Sequence, residues 1–346
     1  MLRLLSIVLL VFTGFNSASA AEPVDLRVLA WPGYADADMV AAFEKRYKVK
    51  VKVSYITNDD EMWLRMGHKN GENYDVFAVN TAELQRYIDA KLATPLNPQA
   101  IGNMAKQLPR FTSLQDIPGV TRDEQVYAIP YTYSEMGLIY NKNYFEQPPT
   151  SWNVLWDSQY QGKILAYNGS AHNYTLAGMV LGVENPFQQT NQQLKLSTEQ
   201  LLALRRNVLT FYSSPEEASE FYNQESVALV FANYGAQQLK QLQDAGADIG
   251  YVIPQEGALA WLDCWAMSSG VKNQDLAHKW IDFTLEPWVS QLLTERQGLA
   301  NTIVQDTRSL PEDKIIWLEE VEDHQRRSEF WENILSGKTL QMMSLP

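Results

Sequence analysis

The sequence predicts an α/β protein of two domains, the first built around a parallel sheet. Strand and helix patterns alternate through residues 26–90, the rhythm of parallel α/β units. About 326 residues remain once an N-terminal leader is set aside, a length that suits two cores rather than one. No internal repeat or low-complexity run is present, which excludes a solenoid or a long linker.

The leader is residues 1–20. Met1-Leu2-Arg3 gives a positive start, Leu4 to Phe15 is almost wholly apolar, and Ala18-Ser19-Ala20 supplies a small-x-small cleavage pattern. This reads as a secretory signal peptide cut after Ala20. Its apolar run is shorter than the ~20 residues a spanning helix needs. No cysteine lies near the cut to carry a lipid.

The first strand is Leu26 to Ala30, followed by the turn Trp31-Pro32-Gly33-Tyr34. Asp36 or Asp38 is placed to cap a helix through Met39 and Phe43. Val49 to Tyr55 alternates strictly and is a strand, with a helix over Asp60 to Met66. Tyr74 to Val79 is a buried strand, with a helix over Thr81 to Ala90. Ligands of such sheets sit at the carboxyl ends of the strands. Trp31–Tyr34 and Asn80–Glu83 occupy two of those loops.

Two strands, Tyr127–Tyr131 and Leu138–Asn141, are expected in the middle, with a polar patch between them. Ser151 caps a short helix over Trp152–Trp156. The strand Gly162–Tyr167 precedes a helix from Asn173 to Leu181. Ser197-Thr198-Glu199-Gln200 reads as a capping box opening an amphipathic helix to Tyr212. A strand over Val227–Ala232, a helix over Gly235–Ala245 ended by Gly246, and a strand over Ile249–Pro254 follow.

The net charge of −13 disfavours nucleic acid and anionic membrane surfaces and favours a cationic ligand. The one cysteine, Cys264, forms no internal disulfide and reads as a small buried apolar residue. His68, His172, His278 and His324 lack metal-ligand spacing, so no metal and no cofactor is expected. No Gly-x-Ser-x-Gly, His-Glu-x-x-His, Walker loop or Gly-rich dinucleotide turn is found, so nothing points to an enzyme.

The run Gly257 to Met267 sets one acid, Asp263, among apolar and aromatic residues. A buried unpaired carboxylate is costly, so Asp263 needs either a protein donor or a ligand cation. Trp261 would offer its aromatic face to the same charge.

The ordered set Trp31-x-x-Tyr34, Tyr74-Asp75-Val76, Ile129-Pro130-Tyr131 and Tyr140-Asn141 continues with Ser151-Trp152-x-x-Leu155-Trp156, Tyr160-x-Gly162-Lys163 and Trp261-x-Asp263. In order and spacing it resembles the spermidine/putrescine-binding proteins of ATP-driven importers, within the periplasmic solute-binding proteins. The resemblance implies a two-lobed periplasmic-binding-protein fold of the class II type, with hinge strands and a cleft that closes on its ligand. Lobe one would take residues 21–128 and 256–306, and lobe two residues 129–255 and 307–346. The first passage would fall near 128–131 and the second near 253–257.

The same resemblance implies a monomer in the periplasm that binds a polyamine for an importer's membrane permease. Trp31 and Tyr34 match the aromatic pair after the first strand, Trp261 an aromatic wall, and Asp263 the carboxylate that anchors an ammonium. Elsewhere the chain departs. Asn168 to His172 stand where acids are expected, Asn233 followed by Tyr234 where a Trp is expected, and Leu299 where a Tyr is expected. Glu83 and Glu135 are candidate replacement carboxylates, Glu135 the better placed, and His172 is a candidate ligand contact. The alternative is a sensory adaptor of the same fold that reports ligand to a membrane receptor. A binder of an amino acid or other amine acid is a more remote reading.

Overall fold

The computed structural model describes residues 25–305 and 314–343. The expected signal peptide lies outside them. The chain opens with β1 (Leu26–Ala30), α1 (Ala37–Tyr47), β2 (Val51–Tyr55), α2 (Asp59–Gly67), β3 (Val76–Asn80) and α3 (Thr81–Asp89). The strands β2, β1 and β3 pair in parallel, as the alternation predicts. Asn58 and Asn80 cap α2 and α3 by accepting from the Glu61 and Glu83 amides.

A short β4 (Ala93–Thr94), α4 (Pro109–Thr112) and the hairpin β5 (Thr121–Arg122) with β6 (Gln125–Val126) lead to β7 (Ala128–Met136). The polar patch expected to interrupt this strand lies inside it. Its edges are taken by two neighbours, and the Thr132 hydroxyl donates to the Ala300 carbonyl at 2.6 Å. Burial is thereby satisfied without breaking the strand.

Gly137 alone separates β7 from β8 (Leu138–Asn141), and there the chain changes sheet. This passage lies beyond residues 128–131, where the sequence placed it, because β7 stays paired in the first sheet along its length. The second sheet runs β10-β9-β11-β8-β12. Its elements are β9 (Ile164–Tyr167), α5 (Ser170–Val180), α6 (Asn191–Asn207), β10 (Thr210–Tyr212), α7 (Pro215–Gln224), β11 (Leu229–Phe231), α8 (Ala236–Asp244) and β12 (Ile249–Val252).

Helix α6 starts earlier and ends sooner than the sequence suggested. Its capping box is Thr190 with Gln193. Ser197 and Thr198 are buried mid-helix, donating to Gln189 Oε1 and the Leu194 carbonyl. Helix α5 likewise begins at Ser170, ahead of the expected Asn173.

The chain returns to the first sheet with β13 (Ala258–Ser268), an eleven-residue strand buried throughout. It lies between β7 and β3, antiparallel to both. Then come α9 (Gln274–Thr284), α10 (Pro287–Gln297), β14 (Ala300–Asn301), β15 (Ile315–Trp317) and α11 (His324–Leu335). Helix α11 packs on α5 and α6 of the second lobe. Its fully buried Arg327 pairs with Glu322 and donates to the Ala171, Pro186 and Phe187 carbonyls. Among the described residues no helix is long and apolar enough to cross a membrane.

Candidate functional site

One cavity lies where the carboxyl ends of β1, β2 and β3 face the ends of β9 and β11. From the first lobe it takes Trp31, Tyr34, Thr57, Asp59, Asn80, Trp261 and Asp263, and from the second Tyr167, His172, Ser214, Asn233, Tyr234 and Gln237. Its walls bound about 570 Å³, part of it open to solvent.

Trp261 and Asp263 reach it together because side chains two apart on a strand share a face. Beside Asp263 the pairing with β7 shifts register: Asp263 opposes Thr132 while Cys264 opposes Pro130, leaving Tyr131 as the extra residue. Pro130 has no amide hydrogen to give the ladder, and bulges of this kind re-aim side chains. The Tyr131 ring packs edge-on against Tyr34 at 5.5 Å between centroids. The Tyr34 hydroxyl donates to Asp263 Oδ2 at 2.6 Å.

Asp263 is 5% exposed, and among the described residues no cationic side chain pairs with it. Burial pushes its carboxyl up to about 7, with the Tyr34 hydrogen bond opposing the shift. Asn80 sits opposite Asp263 across the β3–β13 pair. Its amide donates to Asp59 Oδ1 at 3.3 Å. The Asp59 carboxyl is also raised well above the usual range, first by burial and then by the charge of Glu83.

The second lobe supplies the facing wall. The Trp261 indole donates to the Asn233 carbonyl at 3.0 Å. Asn233 Oδ1 lies 2.7 Å from His172 Nδ1, so Nδ1 carries the hydrogen. Burial lowers the His172 pKa and keeps the ring neutral. The Tyr234 hydroxyl reaches the Thr57 carbonyl at 2.6 Å and the Ser213 carbonyl at 2.7 Å, its one proton serving either. Tyr167 packs edge-on against Tyr234 and nearly parallel to His172.

Seven candidates from the sequence thus meet in one cavity: Trp31, Tyr34, His172, Asn233, Tyr234, Trp261 and Asp263. Two do not. Glu83 lies in an adjoining cavity, paired with Arg86 and 3.4 Å from His324 Nδ1. Glu135 lines neither cavity. In the β7–β13 register Ser134 opposes Trp261 and Glu135 opposes Ala260. Cross-strand partners share a face, so Glu135 lies on the face away from Trp261.

Sequence reasoning passed over Asp59 and Tyr167. Both follow the rule that found Trp31, since Asp59 opens the helix after β2 and Tyr167 ends β9. Among the described residues no group of three or more His, Cys, Asp or Glu side chains is arranged to hold a metal.

Taken together, the cavity sets an acid with no cationic partner among the described residues beside aromatic faces, in a cleft between the lobes. The model of one protein family, the bacterial extracellular solute-binding proteins, matches residues 38–306. The chain belongs to that family. It is similar to the spermidine/putrescine-binding periplasmic protein 1 of Haemophilus influenzae, 24% identical over 300 residues, covering 86% of this chain and 80% of that protein. It is similar also to the norspermidine sensor of Vibrio cholerae, 22% identical over 277 residues, covering 80% and 74%. Among solved structures, the substrate-binding protein of a spermidine/putrescine ABC transporter from Streptococcus pneumoniae aligns with a TM-score of 0.70 at 22% identity, covering 92% of this chain and 99% of that one. That likeness shows the two-lobed fold of this family.

Proposed function

We propose that this solute-binding protein captures a small organic amine of the polyamine class in the periplasm and hands it to the permease of an ATP-driven importer. It acts as a binder and not as an enzyme. The observation that carries the reading is Asp263: buried, joined to the Tyr34 hydroxyl, and without a cationic partner among the described residues, in a cavity walled by Trp31, Trp261 and Tyr234. A ligand ammonium supplies the missing charge, and aromatic faces add about 0.5–2 kcal/mol per contact. The names of the relatives support the polyamine class and the importer.

The test is a thermal-shift screen of polyamines, diamines, amino acids and inorganic cations, followed by calorimetry. A ligand at about 100 times its Kd stabilises by about 2.7 kcal/mol, a shift easily read. No shift with any amine would reject the reading. The likeness to the norspermidine sensor favours a second reading, in which the same cleft reports amine to a membrane receptor. Pull-down of the amine-loaded protein with candidate permease or receptor domains separates the two.

A further inference from the structure

The lobes also meet away from Asp263, along the opening turns of α11. That helix belongs to the second lobe, where it packs on α5 and α6. Its first residue, His324, reaches across to α3 of the first lobe, with Nδ1 3.4 Å from Glu83 Oε1. One turn on, the Ser328 hydroxyl lies 3.4 Å from Asp60 Oδ1. Residues four apart share a helix face, so both contacts come from one stripe of α11.

The first lobe brings Asp59 and Asp60 of α2 and Glu83 and Arg86 of α3 to this seam. Arg86 pairs with Glu83 on its own helix and donates to the Asp59 carbonyl at 3.1 Å, so it serves its own lobe. The second lobe brings His172 of α5 and His324. At the start of α11, Glu322 is tied to Arg327 and Asp323 to the Arg326 amide. Burial keeps His172 neutral. Burial also raises the Asp59 and Asp60 carboxyls, but both lie in the first lobe, and a proton on either removes attraction to His324. His324 is then the second-lobe group here that can gain a charge, since histidine titrates between about pH 5 and 8. Its Nε2 is buried with no hydrogen-bond partner among the described residues, so the new charge is met on the Nδ1 side, by Glu83. The two side chains are 17% and 5% exposed, and solvent screens such a pair less than a surface one.

We propose that His324 and Glu83 form a pH-dependent latch that holds the two lobes together. The protonated imidazole makes a charge pair across the seam. The neutral ring makes a weaker contact, and the cleft opens more readily. Closure thus favours the protonated ring, so the closed form is stabilised as pH falls and released as pH rises through the histidine range. Neither His324 nor Glu83 lines the cavity around Asp263, so the latch does not rest on the identity of the ligand. It works against the titration of Asp263, which loses its charge over the same fall in pH. Acid conditions shut the cleft while weakening its hold on a cation.

Fluorescence energy transfer in the ligand-free protein tests it. Dyes are carried by Leu64→Cys in α2 and Gln224→Cys in α7, both exposed positions, while the native Cys264 is buried and stays unlabelled. Between about pH 8 and about pH 6 the ratio of closed to open molecules should rise about threefold. His324→Gln should abolish that rise, and so should Glu83→Gln. His324→Lys keeps a cation at both pH values and should hold the ratio at its acid level throughout. A ratio that does not move with pH in the unaltered protein, or that moves equally in the His324→Gln protein, overturns the latch. Either result leaves the amine reading standing, because that reading is tested by ligand binding and this one without ligand.

Discussion

Tyr34 and Asp263, from β1's loop and from β13, are joined by a hydrogen bond of 2.6 Å across 229 positions of sequence. The hydroxyl satisfies one carboxylate oxygen without neutralising its charge. Asp263 is thus held in place, with no cationic side chain beside it among the described residues.

Asp263→Asn should therefore weaken amine binding at least tenfold, about 1.4 kcal/mol, by calorimetry. Tyr34→Phe should cost less, on the order of 1 kcal/mol, since it removes a hydrogen bond and keeps the charge. Equal affinity of Asp263→Asn and the unaltered protein would remove Asp263 from the site.

Binding should depend on pH through Asp263. Its carboxyl titrates near 7 in the folded protein, well above its unfolded value near 3.8. The folded state therefore holds this proton more tightly than the unfolded chain, so the group's contribution to ligand-free stability is full below pH 4 and lost as pH rises through 7. Amine affinity should run the opposite way, rising between pH 5 and 8 as the carboxylate ionises. Asp263→Asn should flatten that rise, which calorimetry in buffers of different ionisation enthalpy can follow through the released proton.

Gly235 follows Tyr234 with φ +54° and ψ −123°, a region few side chains enter. A Cβ there would overlap the Glu135 carbonyl and the Ser134 hydroxyl. Gly235→Ala should cost about 1–3 kcal/mol or more of stability and displace Asn233 and Tyr234, lowering both Tm and amine affinity. A variant with unchanged Tm and affinity would show that this backbone adapts freely.

Trp261→Phe keeps an aromatic face but loses the indole hydrogen bond to the Asn233 carbonyl, a link between the lobes. We expect a loss of about 1 kcal/mol in ligand affinity. Ligand-induced tryptophan fluorescence should also fall. An unchanged signal would assign the response to another of the ten tryptophans.

Much of this site could be read from the chain because its signals are local. Trp261 and Asp263 stand two apart in an apolar run, which places both on one strand face. Trp31 and Tyr34 bracket a Pro-Gly turn at a strand's end. Signals that depend on a partner were not legible. The face of Glu135 is set by its register with β13, which nothing in Thr132–Glu135 records. The start of α6 was hidden by Ser197-Thr198-Glu199-Gln200, a good local cap whose hydroxyls are instead buried against Gln189 and Leu194. Asp59 was hidden by its other duty, opening α2.

The lone residue between β7 and β8 limits how the cleft can open. One residue spans at most about 3.6 Å, and here the Gly137 amide donates to the Tyr251 hydroxyl at 2.9 Å while that hydroxyl donates to the Glu135 carbonyl at 2.8 Å. The joint has no slack to pay out. Any gaping of the two halves must then pivot about this pinned corner, so a small turn there becomes a wide swing at the far rim where an amine would enter.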